Sequence, residues 1–156
     1  MDSRSPTTTP DSCIFCAIAD GRAPAEVVYE DEHTVAFMDI NPAAKGHVLV
    51  IPKRHARDLF DVSEEDVQHV MRAVLRVARA IEKALRPDGL NLMHATRRAA
   101  FQSVYHFHVH VIPRWWNDGI RPLWRHAAGD PDELRAVGAR IREAAEALAD
   151  GPSEMP

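Results

Sequence analysis

Three histidines, His106, His108 and His110, occupy every second position of the stretch QSVYHFHVHVIPR, residues 102–114, and Phe107, Val109 and Val111 fill the gaps. Alternation with a period of two belongs to a strand, whose successive side chains point to opposite faces. The spacing predicts three imidazoles in a row on one face and an apolar row on the other, able to pack on a core. Each imidazole must find water, a partner, a metal or a substrate. Three readings compete. One is chance polar alternation on a solvated face. The second is a nucleophile at His108, flanked and oriented by the outer two rings. The third is a metal held by the row.

Other residues with chemistry to offer are few. Cys13 and Cys16 form a Cys-x-x-Cys inside CIFCAIAD, a short apolar stretch ended by Gly21 that can carry both thiols on one helical turn. The plain reading is two buried small hydrophobes. Zinc is the rival, and it needs two more ligands to close a tetrahedron. Asp39 ends a strand-like run and suits a turn, or an acceptor of hydrogen bonds from sugar hydroxyls; its neighbours favour the turn. Lys53, Arg54 and His55 read as a solvated basic turn. His47 and His55 gain interest only from the partners available to them.

These groups need elements to position them. Residues 27–30 and 34–39 read as a hairpin across Asp31, Glu32 and His33. Asn41 and Pro42 then break the pattern. HVLVIP, 47–52, follows Gly46 and reads as a buried strand; 90–94 reads as another. The main helix spans 63–86. Ser63 with Asp66 resembles a capping box, and Glu64, Glu65 and Asp66 complement the helix start. Val67, Val70, Met71, Val74, Leu75, Ala78, Ile81 and Leu85 predict a core-facing stripe, with Arg72, Arg76, Arg79 and Lys83 away from it. Pro87, Asp88 and Gly89 stop the helix. ATRRAAF, 95–101, is a loop into the histidine strand, which Pro113 closes. Trp115, Trp116 and Trp124, in a loop with Pro122, suit a pocket mouth, a subunit contact or burial. A last helix covers 131–149, with Asp130 as N-cap, Pro131 in its first turn, and Leu134, Val137, Ile141 and Leu148 on one side.

A chain of 156 residues suffices for one domain with a real core. That domain is read as 13–150, between a disordered Ser/Thr/Pro-rich tail, 1–12, and a short tail, 151–156. Hydrophobic content of 46% and charged content of 27% are ordinary for a globular protein. A net charge of −4 gives no sign of a nucleic-acid partner. No apolar run is long enough to span a membrane, and the N-terminus has no apolar signal core. Two cysteines at this spacing argue for metal or redox chemistry in a reducing compartment, so a cytoplasmic location is expected.

In three blocks the chain resembles the histidine triad (HIT) family of nucleotide hydrolases and transferases, in its zinc-binding, Cys-x-x-Cys-containing bacterial form. The triad pattern stands as His106-Phe107-His108-Val109-His110-Val111-Ile112, preceded by Gln102-Ser103-Val104. FMDINPAAKGHVLVIPKRH, Phe37 to His55, looks like the family's first conserved block, and CIFC looks like the opening of the zinc-binding members. The match is strongest over 13–114. The resemblance implies an α+β fold, with an antiparallel sheet of about five strands and one long helix, to which the sequence adds the C-terminal helix. It also implies a homodimer paired through helix and sheet edge.

The substrate it implies is a nucleoside monophosphate, usually AMP, joined through its α-phosphate to a leaving group, as in AMP phosphoramidates and dinucleoside polyphosphates. His108 would attack phosphorus and form a phosphohistidine that water opens. Neutral imidazole is available near pH 7. His110 would contact the phosphate or the bridging atom, Gln102 and Ser103 would donate to phosphate oxygens, and His47 would orient the site. Asp39 would accept from the ribose hydroxyls, with Phe37 and Ile40 against the base. Cys13, Cys16, His55 and His106 would hold a structural zinc, no metal being required for catalysis. The loop before Gln102 departs from the family. Ala95 stands where an Asn is usual, and Thr96, Arg97, Arg98 and Phe101 replace polar or glycine positions, which narrows backbone access. Arg97 and Arg98 offer phosphate-binding charge in exchange. Two rivals stand beside this reading. One is a nucleotide-binding module with weak or no catalysis because of the altered loop. The other is a metal hydrolase with all three histidines on one ion.

Overall fold

Asp31 folds the first hairpin. Its Oδ1 accepts from the backbone N–H of His33 at 2.9 Å and of Thr34 at 2.8 Å, and from the Thr34 hydroxyl at 2.8 Å. A side chain that satisfies the turn's own backbone in this way fixes the reversal locally. It turns β1 (Val27–Glu30) back onto β2 (Thr34–Met38). With β3 (Val48–Pro52), β4 (Gly89–Met93) and β5 (Val109–Arg114) the sheet is antiparallel throughout, in the order β1-β2-β3-β5-β4. This computed structural model describes residues 9–150. Of the expected tails, 1–8 and 151–156 lie outside the described residues, while Pro10–Ser12 make one 3-10 turn.

The chain divides into two compact units, Met1–Ile120 and Arg121–Pro156. In the first, both faces of the sheet are covered. α1 (Ile14–Ala19) sets Phe15, Cys13 and Cys16 against Val35, Phe37, Leu49 and Ile51. The alternate residues Ala36, Val48, Val50, Val109 and Val111 point the other way. There α2 (Glu64–Leu85) lays Val70, Ala73, Val74, Val77 and Ile81 onto them. Ser63 caps α2: its Oγ accepts from the Asp66 N–H at 3.1 Å and donates to Asp66 Oδ2 at 2.8 Å. Such a cap contributes about 1 kcal/mol. Gly46 enters β3 with φ +84°, a left-handed conformation, and a side chain there would collide with Leu85 at the end of α2.

The buried stripe of α2 is narrower than the predicted one. Met71 and Leu75 are 42% and 50% exposed, and Ala73 and Val77 are buried in their place. The stripe is centred on 70, 74, 77 and 81, and positions 71 and 75 stand about 100° around the helix from 70 and 74. Several strand ends shift by one residue, as helix and strand ends commonly do. Pro113 lies inside β5, opposite Leu90, and the strand ends at Arg114. One shift matters more: β5 starts at Val109, so only His110 of the histidine row is in a strand. The chain leaves the ladder because the Phe107 N–H donates to the Ala56 carbonyl, at 2.6 Å, which belongs to no strand. The alternation survives. Phe107 joins the α2 core, and His106 and His108 are buried among other residues.

In the second unit, α3 (Pro131–Asp150) is capped by Asp130, whose Oδ1 accepts from the Asp132 N–H at 2.7 Å and the Glu133 N–H at 3.3 Å. Its apolar positions Leu134, Val137, Ile141 and Leu148 are exposed. Among the described residues, no helix is long and apolar enough to cross a membrane.

Candidate active site

Hydrogen-bond direction assigns a tautomer to each neutral ring of the row. A carbonyl oxygen only accepts and a backbone N–H only donates. His106 Nε2 lies 2.8 Å from the Pro52 carbonyl, so the proton sits on Nε2 and Nδ1 presents a lone pair. His108 Nδ1 lies 2.6 Å from the His106 carbonyl, so here Nδ1 holds the proton and Nε2 the lone pair. His47 Nδ1 accepts from the Ala43 N–H at 3.0 Å, so His47 Nε2–H donates to His110 Nδ1 at 2.9 Å. His110 therefore carries its own proton on Nε2. Burial supports these neutral forms, because it penalises a charged ring. It pushes the pKa of His108 and of His47 down, and that of His106 to about 4. His110 also falls to about 4, through burial first and then through the neighbouring His108 and His47.

The first histidine belongs to a sulfur corner. Cys13 and Cys16 Sγ each lie 3.4 Å from His106 Nδ1, and Cys16 Sγ lies 3.3 Å from His55 Nδ1. A tetrahedral zinc with Zn–S near 2.3 Å and Zn–N near 2.0 Å has S···N edges of about 3.5 Å. The four atoms lie within 4.8 Å of one another, and three of the four residues are buried. Burial, aided by Cys13, pushes the Cys16 thiol up to about 12. A cation beside the Cys16 sulfur would favour its thiolate. α1 brings them together because Cys13 is its N-cap: the sulfur accepts from the Cys16 N–H at 3.5 Å.

The last histidine belongs to a carboxylate corner. Asp39 Oδ1 accepts from the Asn41 N–H at 2.8 Å, the expected turn. Its Oδ2 lies 3.5 Å from His47 Nε2 and 3.9 Å from His110 Nδ1. Two histidines and a carboxylate within 4.8 Å have the composition of a metal site. The Ala43 N–H argues against one. It occupies the His47 Nδ1 lone pair, so Nε2 is protonated and has none to give a metal.

His108 stands between the corners. Phe15 meets its ring edge-on, with centroids 5.2 Å apart. The residue is only 3% exposed. Its Nε2 has no hydrogen-bond partner among the described residues, yet no fully buried side-chain nitrogen or oxygen there lacks one. That nitrogen is therefore not fully buried, and it keeps a lone pair that no protein donor occupies.

The remaining predicted residues divide. Ile40 is 91% exposed, whereas Phe37 is buried, with its ring 5.3 Å from Phe15. Ser103 is exposed. Gln102 is buried, and its amide is occupied: Nε2 donates to the Arg57 carbonyl at 2.7 Å and the Val104 carbonyl at 3.1 Å, and Oε1 accepts from the Arg97 N–H at 2.7 Å. Gln102 thus ties the 95–101 loop to two other segments. In that loop Arg97 and Phe101 hold positive φ, 66° and 67°, where glycine is the unstrained residue. Sequence reasoning passed over His94. Its Nδ1 lies 2.7 Å from the His108 carbonyl. Its only signal was its place at the end of a strand, next to the altered loop.

The family model of the HIT domain matches residues 20–116. The fold is similar to a HIT family protein from Bacillus anthracis, with TM-score 0.80 and 40% identity over 87% of this chain and 99% of that one. It is also similar to a Zn-bound histidine triad family protein from Mycobacterium smegmatis, with TM-score 0.67 and 41% identity over 87% and 99% of the two chains. Among sequences, adenosine 5'-monophosphoramidase hnt1 of Schizosaccharomyces pombe is 37% identical over 131 residues, 83% of this chain and 96% of that protein.

Proposed function

This chain belongs to the HIT family, and from that premise we propose that it is a nucleotidyl hydrolase or transferase with His108 as nucleophile. The observation that carries the reading is the His108 ring itself. Its Nδ1–H is held by the His106 carbonyl, and its Nε2 lone pair is unpartnered and not fully buried. A neutral, oriented imidazole is what in-line attack on phosphorus needs. The substrate is AMP joined through its phosphate to a leaving group, an amine or a second nucleotide. An AMP phosphoramidate is favoured by the name of the fission-yeast relative.

His108 Nε2 gives its lone pair to phosphorus, the bond to the leaving group breaks, and that group departs with the electron pair and a proton. The His110 Nε2–H is the donor we assign to it, oriented through the His47 Nε2–H on its other nitrogen. Water then attacks, the phosphorus–Nε2 bond breaks, AMP leaves, and the proton lost by water balances the one carried off. Exposed Ser103 donates to a phosphate oxygen. Gln102 contributes by holding the loop, given where its amide bonds go. Asp39 accepts from the ribose hydroxyls, and Ile40 offers apolar surface to adenine. Buried Phe37 supports that wall from the core.

Cys13, Cys16, His55 and His106 would hold a structural zinc, and four protein donors would leave it no open position for chemistry. The name of the mycobacterial structure supports this. Thiols kept for zinc suit a reducing cytoplasm. A homodimer through the β4 edge and α2 is supported by exposed Leu92, Met71 and Leu75.

The test follows AMP release from adenosine 5'-phosphoramidate and from diadenosine polyphosphates. His108→Ala is expected to lower kcat by about 10⁴-fold or more. AMP binding by the wild type with no His108-dependent turnover would instead establish a binding module.

A further inference from the structure

β4 and β5 pair as far as Met93 opposite His110, and there the ladder ends. The carbonyl of His108 lies beyond it. His94 supplies that carbonyl with a side-chain donor, Nδ1 at 2.7 Å. The other ring nitrogen, Nε2, lies 2.7 Å from the Thr96 hydroxyl, and that hydroxyl accepts from the Leu59 N–H at 3.3 Å. The directions are forced for a neutral ring. A carbonyl only accepts, so Nδ1 holds the proton and Nε2 accepts. The Thr96 O–H must then donate to Nε2 and take the Leu59 N–H on a lone pair. One chain of donors runs from the Leu59 amide through Thr96 and His94 to the peptide that follows His108. The half-buried His94 ring packs 4.7 Å from Phe107, centroid to centroid.

We propose that His94 is a positioning residue of this active site, a further histidine that touches no substrate and fixes the backbone of the nucleophile. His108 is then held twice, by its ring through the His106 carbonyl and by its own carbonyl through His94. Both ties are needed to aim Nε2, because a ring held at one nitrogen still swings with its peptide. The inference rests on the reading of His108 as the nucleophile.

The experiment measures kcat and KM for AMP release from adenosine 5'-phosphoramidate in full-length wild type, His94→Leu and His94→Asn, each checked for zinc content and a cooperative melt. Leucine fills the space without a donor and is expected to lower kcat about tenfold to a hundredfold at nearly unchanged KM. Asparagine places an amide N–H near the Nδ1 position and is expected to recover kcat to within about threefold of wild type, since it restores one hydrogen bond. Equal losses in the two variants, or a loss confined to KM, would overturn the proposal. Long-range ¹H–¹⁵N spectra of the histidine rings give a readout free of activity. Protonated Nδ1 and bare Nε2 are expected at His94, with a change at that ring in Thr96→Val. An Nε2–H tautomer at His94 in the wild type sinks the proposal. If wild type releases no AMP, the nucleophile reading fails, while the spectrum still decides whether His94 donates to His108.

Discussion

The two corners beside His108 are built from similar parts and differ in which lone pairs they leave free. Around Cys13, Cys16, His55 and His106, the Pro52 carbonyl takes the far proton of His106 and turns a lone pair toward the sulfurs. Around Asp39, His47 and His110, the Ala43 amide takes the far lone pair of His47 and turns a proton toward His110. A donor on the outer nitrogen makes the inner one a proton source; an acceptor makes it a ligand. Proximity of ligand types does not distinguish a metal centre from a proton-holding pair. The backbone group behind each ring does.

The contrast can be broken first at the sulfur corner. Cys16→Ser is expected to lose the bound zinc and more than about 4 kcal/mol of stability, read by metal analysis and thermal melting. Asp39→Asn should keep one zinc per chain. A second equivalent in the wild type that disappears in Asp39→Asn would erase the distinction. Next in size, His47→Leu removes the donor behind His110 and is expected to lower kcat about a hundredfold while zinc content stays at one, as steady-state kinetics and metal analysis would report.

Acid should sharpen the contrast without a mutation. The pKa of His110 is depressed to about 4 and that of His47 is lowered. Well above pH 6.5 both are neutral, folded or unfolded. Below it the unfolded chain takes up protons that the folded one refuses, so stability falls as pH drops from 6.5 toward 4. Melting temperatures across that range should slope less in His110→Asn than in wild type; equal slopes would count against neutral burial at this corner. The smallest effect lies outside both corners. Phe101 sits at φ 67° and is 91% exposed, so it strains the backbone while packing on little. Phe101→Gly is expected to add about 0.5–1 kcal/mol in denaturant titrations and to leave zinc content unchanged.

Local period made most of the fold legible before any coordinates. Short β-branched and apolar runs bounded by turn residues located β1 to β4, and the 3.6-residue spacing with the Ser63 cap located α2. What depends on contacts between distant segments was not legible. Nothing near Met71 or Leu75 shows that the stripe is centred on Val70 and Val74. Nothing near Val109 shows that Phe107 bonds to Ala56. The grouping of Cys13 and Cys16 with His55 and His106 was expected through resemblance alone, because His55 and His106 stand 39 and 90 residues from Cys16. His94 escaped notice because its partner is set by the register of β4 on β5, which no single stretch encodes.

The bond from Phe107 to the Ala56 carbonyl has a mechanical meaning. It staples the segment bearing two of the rings to a loop, one residue beyond His55, instead of zipping it into a strand. Fraying of the outer sheet would therefore stop short of these rings. Whatever disturbs the loop after His55 would reach them at once.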